Sequence, residues 1–78
     1  MESLYGEYKN TYKLGFELYN AGMLEESRQT LMEAVDLLKQ ILRFYHLTDY
    51  VREKYEYMLC ALQDFIECRI EPQLDYYA

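Results

Sequence analysis

The fold is decided by residues 23–46, MLEESRQTLMEAVDLLKQILRFYH. Apolar or small side chains recur there every three or four residues, which places them on one stripe of an α-helix. Further apolar residues widen the stripe, so this helix should contact neighbours on two sides, as the middle helix of a bundle does. The stripe consists of Leu24, Ser27, Leu31, Ala34, Leu38, Ile41 and Tyr45, and it is widened by Val35, Leu37 and Leu42.

A first helix should precede this stretch over about residues 3–20, because the same period of three and four continues there. Gly15 lies near the middle of its apolar face, which predicts that another backbone packs close to it. The helix should end at Asn20-Ala21-Gly22, since glycine readily adopts the left-handed conformation of a C-cap. The apolar face carries Leu4, Tyr8, Thr11, Gly15 and Leu18.

A third helix is expected over about residues 49–71. Thr48 or Asp49 supplies its N-cap oxygen, and Pro72 should end it, because proline lacks the amide hydrogen that an α-helix needs. The remaining tail, residues 72–78, is either a frayed end or an ordered cover over the bundle. Both connections are short, so the whole chain, residues 1–78, is predicted to form one all-α domain. Its expected architecture is an antiparallel up-down-up three-helix bundle similar to a spectrin repeat.

The charge balance points to the kind of partner. The formal net charge is −6, and the sequence has no cluster of lysine and arginine, so direct nucleic-acid binding is not expected. A basic partner fits better. No apolar run approaches the roughly 20 residues of a membrane-spanning helix, and MESLYGEY lacks the regions of a signal peptide. We therefore expect a cytoplasmic domain without membrane insertion; its oligomeric state is left open.

The sequence offers little for catalysis. Cys60 and Cys68 lie eight residues apart on one predicted helix, a rise of about 12 Å that is too long for a disulfide, so both should be buried or semi-buried free thiols. His46 is the only histidine and falls in a predicted loop. The chain shows neither a spacing typical of metal ligands nor a phosphate-binding glycine loop. We expect no catalytic residues, metal or cofactor, and no enzymatic activity.

A mostly acidic strip on the outer side of the third helix is the main candidate for a binding surface. It is either an ordinary solvated face or the wall of a groove between helices 2 and 3 that receives a basic amphipathic helix. The ten tyrosines suit a small bundle, since each buries a ring and keeps its hydroxyl near water; alternatively, some of them line a recognition groove. The strip consists of Glu53, Glu56, Cys60, Gln63, Asp64, Glu67 and Glu71.

Two family resemblances follow from these patterns. The spacing of Leu14-Gly15, Leu18, Gly22 and Leu31 resembles a tetratricopeptide repeat, although helix 2 continues through Lys39, where that repeat has its closing proline. A closer resemblance is to the MIT (microtubule-interacting and trafficking) domain, a three-helix module of ESCRT-associated AAA ATPases. Gly22-Met23-Leu24-Glu25-Glu26-Ser27 is similar to its G-x-Y/V-E-E-A turn, and Leu31, Ala34, Val35 and Leu38 continue its second helix.

The MIT resemblance implies a function. In that family the groove between helices 2 and 3 binds the C-terminal helix of ESCRT-III-type proteins, and Asp64 and Glu67 match its acidic positions, while Gln63 replaces an apolar residue. The implied function is a non-catalytic interaction module that recruits an AAA ATPase or trafficking factor. The candidate peptide-binding residues are Cys60, Gln63, Asp64, Glu67 and Glu71.

Two alternatives remain open. One is a tetratricopeptide-like structural domain that self-associates through its tyrosine-rich first helix. The other is a small acidic inhibitor that mimics nucleic acid and blocks a basic site.

Overall fold

The structure is a computed structural model that describes the backbone of residues 3–77 and the side chains of residues 3–76. The described residues are helical with no strand, which confirms the all-α prediction; residues 1, 2 and 78 of the predicted domain lie outside them. None of the helices is long and apolar enough to cross a membrane within this part of the chain. The elements are α1 (Leu4–Asn20), α2 (Leu24–Phe44), α3 (Asp49–Phe65), a π-helical turn (Ile66–Ile70) and α4 (Glu71–Tyr77).

Local sequence signals explain where the helices begin and end. Ser3 Oγ accepts a hydrogen bond from the Gly6 amide at 3.1 Å, and Thr48 Oγ1 accepts one from the Val51 amide at 3.3 Å. These oxygens satisfy donors that a helix start leaves unpaired, so Thr48 rather than Asp49 is the N-cap of α3. Gly22 has φ of 80°, the left-handed conformation predicted for the end of the first helix.

Helix α2 is the central element of the core. It contributes more fully buried residues than any other helix, and they follow the predicted stripe. The stripe's two ends differ from the prediction: Leu24 is only half-buried, and Tyr45 is exposed because α2 ends at Phe44. The buried residues of α2 are Ser27, Leu31, Ala34, Val35, Leu38 and Ile41, and they pack with Tyr8, Leu62, Ile66 and Ile70 from the other elements.

Helices α1 and α2 approach each other closely at Gly15. Gly15 is buried, and a Cβ at this position would lie 2.6 Å from Leu31 Cγ, far inside van der Waals contact. The buried Ser27 hydroxyl donates a hydrogen bond to the Gly15 carbonyl at 2.8 Å. The sequence prediction of a close backbone at Gly15 therefore agrees with the structure, and Ser27 gains a buried polar partner.

Helices α1 and α3, in contrast, meet only through side chains. No Cα of α1 lies within 8 Å of a Cα of α3. The gap is bridged by aromatic rings: the ring centroids of Phe16 and Phe65 are 4.8 Å apart, and those of Tyr5 and Tyr55 are 6.2 Å apart. The ring centroids of Tyr19 and Phe65 are also close, at 5.1 Å. This spacing leaves a groove between the two helices.

The prediction that Pro72 ends the third helix is wrong. The chain remains helical to Tyr77, because the π-helical turn lets the Glu71 amide donate to the Ile66 carbonyl, five residues back. Pro72 then lies in the first turn of α4, where a missing amide hydrogen is tolerated. Residues 72–77 of the tail are thus helical, and two of their side chains pack on the bundle: Leu74 contacts the core, and the Gln73 amide donates to Tyr19 Oη at 3.4 Å.

The contact at Gly15 can be tested with a matched pair of glycine variants. Gly15→Ala should lower the free energy of unfolding by about 1 kcal/mol, because an overpacking cost of about 1–3 kcal/mol exceeds the helix-propensity gain of up to about 1 kcal/mol. Gly6→Ala should raise it by about 0.5–1 kcal/mol, since its new Cβ would meet only Ser3 Oγ, at 3.5 Å. Urea unfolding measures both. Equal stabilisation by the two variants would contradict the close approach of α1 and α2.

Candidate functional site

Two grooves flank α3, one on its α2 side and one on its α1 side. The α2–α3 groove is a shallow depression of about 190 Å³. Its apolar floor is formed by Met32, Val35 and Ile66. The remaining lining is charged or polar: Asp36, Lys39, Gln63, Glu67 and Glu71. Three carboxylates and one ammonium therefore surround a small apolar surface, so the groove is net acidic.

The structure brings together three of the five sequence-predicted binding residues. Gln63, Glu67 and Glu71 line the α2–α3 groove. Cys60 and Asp64 are exposed and do not belong to its lining. Helical geometry explains the split, because positions 60 and 64 lie on the side of α3 opposite the buried Leu62. The predicted acidic strip was defined only by the outer side of the third helix. It therefore includes residues that line the groove and residues that lie on the open surface.

The prediction of buried or semi-buried thiols is also wrong. Both Cys60 and Cys68 are exposed and free. Cys60 lies on the outer side of α3, and Cys68 lies in the π-helical turn, whose buried positions are Ile66 and Ile70. The inward sides of α3 and of the π-helical turn are filled by larger aliphatic side chains, so the thiols are left at the surface.

The α1–α3 groove is much larger, about 740 Å³. It exists because Gly15 holds α1 against α2 while aromatic side chains alone span the distance to α3. Half of its lining residues are aromatic, and Tyr12 and Tyr57 remain 41% and 76% exposed. The groove is lined by Tyr5, Tyr8, Lys9, Asn10, Tyr12, Lys13, Phe16, Tyr57, Met58, Ala61, Leu62 and Phe65.

A row of rings forms the α1 wall of this groove. The Tyr8 and Tyr12 rings stack with centroids 5.6 Å apart, and the Tyr12 and Phe16 centroids are 4.7 Å apart. Tyr5 continues the row at 6.5 Å from Tyr8. Mutual packing of this kind holds the rings in place, so the wall is preorganised rather than assembled on binding. The sequence signal was the spacing of aromatic residues beside the apolar stripe of the first helix.

Tyr8 is the one buried tyrosine of the wall and has an altered acidity. Burial is the main cause that raises the pKa of Tyr8 to about 12, and the nearby phenols of Tyr12, Tyr5 and Tyr55 contribute to the same rise, since they disfavour a second negative charge. Burial also raises the pKa of Tyr55. Both phenols are therefore neutral at physiological pH.

The charged groups outside the grooves form few fixed arrangements. Arg28 Nη2 contacts Glu25 Oε1 at 2.7 Å, an exposed pair one turn apart that contributes little stability. His46 is exposed. Among the described residues, no three His, Cys, Asp or Glu side chains converge on a point that could hold a metal ion.

Fold and grooves together define a class, a small all-helical bundle with an acidic groove and an aromatic groove on either side of one helix. Comparison with known proteins adds no family to this description. No protein-family model matches the chain, and no curated protein or solved structure shows significant similarity to it.

The burial of Tyr8 predicts a specific loss of stability at alkaline pH. Its pKa is about 12 in the folded chain against 10.0 when unperturbed, so its stabilising effect is complete below pH 10 and is lost as the pH rises to about 12. We expect the full loss to be about 2–3 kcal/mol. Urea unfolding of Tyr8→Phe should show a correspondingly weaker pH dependence in this window. Tyr57→Phe, at an exposed ring, is the matched control and should follow the unmodified chain; identical curves for all three would disprove the assignment.

Proposed function

We propose that the chain is a non-catalytic protein-interaction module that binds an amphipathic helix, within an up-down-up bundle of the MIT type. The observation that carries this proposal is the α1–α3 groove, an open, ring-lined trough of about 740 Å³ in a chain of only 78 residues. Apolar, aromatic-lined clefts of about 300–1,000 Å³ are typical of binding sites. The α1 wall runs from Tyr5 to Phe16, about 16 Å or three helical turns, which suits a helix of 10–12 residues.

Contacts near the two ends of the bundle support the up-down-up topology. Tyr5 meets Tyr55 near the starts of α1 and α3, and Phe16 meets Phe65 near their ends, as expected for helices that run in the same direction. Arg52, early in α3, donates to the Leu42 carbonyl, late in α2, at 3.4 Å. This contact fits an α2 that runs opposite to α3.

The mode of binding follows from the lining of the α1–α3 groove. Leu62 and Phe65 form the α3 side, and Phe16 and Tyr12 face them from α1. Two or three large apolar side chains spaced i, i+3 and i+7 on a partner helix would pack onto the exposed ring surfaces of these walls. Such buried anchors supply most of the affinity of a helix-in-groove complex, while polar groups at the rim set specificity.

The α2–α3 groove is the second candidate site, for a basic amphipathic helix. Its three carboxylates, Asp36, Glu67 and Glu71, surround an apolar floor, which suits a ligand that combines leucines with lysine or arginine. This is the ligand class that the MIT resemblance implies. On this proposal the chain would deliver an associated AAA ATPase or trafficking factor to its client.

Blocking the α1–α3 groove tests the principal proposal. The probes are two synthetic helical peptides of about 14 residues with leucines on one face, one flanked by Glu and one by Lys. Ala61→Trp fills the groove and should weaken binding there by about tenfold or more, because it occupies the space of an apolar anchor. Cys60→Trp, at the neighbouring outward position, is the control and should bind normally.

Isothermal titration calorimetry and amide NMR shifts report these effects. If neither peptide perturbs residues of either groove at millimolar concentration, the interaction-module proposal fails. Sedimentation equilibrium of the free chain addresses the self-association alternative: a constitutive dimer that shields α1 would favour it. Competition with DNA for a basic protein would favour the inhibitor alternative instead.

The acidic groove has its own matched pair of variants. Glu67→Lys should weaken binding of the Lys-flanked peptide by about three- to tenfold at low salt, because Glu67 lines the α2–α3 groove. Asp64→Lys makes the same charge change three residues earlier, in α3 and outside the lining, so it should have a much smaller effect. NMR titration at two salt concentrations measures both. Equal weakening by the two variants would indicate general attraction to an acidic chain rather than binding in this groove.

A further inference from the structure

The α1–α3 groove differs in charge from the rest of the chain. Asp and Glu account for 14 of the 78 residues, yet none of the twelve residues that line this groove is acidic, and two are lysines. The α2–α3 groove, on the other side of the same helix, contains three carboxylates and one lysine. The two grooves thus have opposite charge, although the chain as a whole is strongly acidic.

The two lysines lie on one rim of the α1–α3 groove. Lys9 and Lys13 are both exposed and four residues apart on α1, so they are neighbours along the same edge. The Lys9 ammonium lies 5.5 Å from the centroid of the Tyr5 ring, a cation–π contact that holds it beside the groove. The opposite wall carries only the apolar and phenolic groups of Tyr57, Met58 and Ala61.

We infer that the partner in the α1–α3 groove is an amphipathic helix whose apolar face is flanked along one edge by Asp or Glu residues four apart. This inference rests on the proposed function and specifies its partner. The apolar face would lie against Phe16, Leu62 and Phe65, and two carboxylates in successive turns would meet Lys9 and Lys13. The spacing matches because residues four apart lie on the same face of both helices.

Charge complementarity disfavours a basic helix in this groove. A basic helix would meet two ammonium groups and no carboxylate in the lining, whereas the α2–α3 groove offers it three. The opposite charges therefore direct the two ligand classes to different sides of α3. Since the grooves share no lining residue, the acidic and the basic helix should bind at the same time without competition.

The test compares the Glu-flanked and Lys-flanked peptides on charge-reversed chains. Lys9→Glu/Lys13→Glu should weaken binding of the Glu-flanked peptide by about tenfold at low salt. The same variant should strengthen binding of the Lys-flanked peptide in the same groove. The matched control is Arg43→Glu/Arg69→Glu, which reverses two exposed basic residues that line neither groove. It should change the affinity for the Glu-flanked peptide by less than about twofold. Circular dichroism verifies that all variants remain folded.

The outcomes separate this inference from the proposed function. The inference is supported if only Lys9→Glu/Lys13→Glu weakens binding of the Glu-flanked peptide and if this variant then binds the Lys-flanked peptide more tightly. If both peptides bind the α1–α3 groove with equal affinity, or if the two double variants weaken the Glu-flanked peptide equally, the inference is overturned while the interaction module stands. If neither peptide binds either groove, the proposed function fails with it.

Discussion

The contact between α1 and α2 at Gly15 determines the shape of the whole bundle. With no side chain at this position, Leu31 packs against the α1 backbone and the Ser27 hydroxyl reaches the Gly15 carbonyl. Helix α1 is thereby held against α2, whereas no Cα of α1 lies within 8 Å of a Cα of α3. The remaining distance is spanned by rings, chiefly Phe16 against Phe65, because aromatic side chains are long enough to bridge it. The aromatic groove therefore lies beside the face of α1 that packs against α2 at Gly15.

The C-terminal arm, which consists of the π-helical turn and α4, determines the acidic lining of the α2–α3 groove. The π-helical turn accepts Pro72 without ending the helix, so the arm continues along the bundle and buries Ile66 and Ile70 against α2. Glu67 and Glu71 then lie beside α2, where Asp36 faces them across the groove. Helix α3 therefore separates two surfaces of different polarity and charge: an apolar trough with a basic rim, and a shallow depression with acidic walls. On the proposed function, this division would allow the chain to distinguish two partners by charge.

Features with a local cause could be predicted from the sequence. The stripe of α2, the close approach at Gly15, the cap at Thr48 and the left-handed Gly22 all follow from periodicity or from the chemistry of single residues. The rest depends on tertiary geometry. The rule for Pro72 was overridden because the π-helical turn shifts the hydrogen-bond acceptor by one residue. The separation of Cys60 and Asp64 from the acidic groove requires the rotation of α3 against α2, and the width of the α1–α3 groove requires the distance between two helices. The net charge of −6 also concealed a local basic rim.

The central claim is that the α1–α3 groove binds an acid-flanked helix, and the methionine methyl groups allow its most direct test. Met58 lines this groove, Met32 lines the α2–α3 groove, and Met23 is exposed at the start of α2. In a chain labelled with 13C at the methionine methyl groups, addition of the Glu-flanked peptide should shift the Met58 resonance and give nuclear Overhauser effects between Met58 and the peptide leucines, while Met32 and Met23 stay unchanged. An unchanged Met58 at saturating peptide, or contacts confined to Met32, would contradict the account.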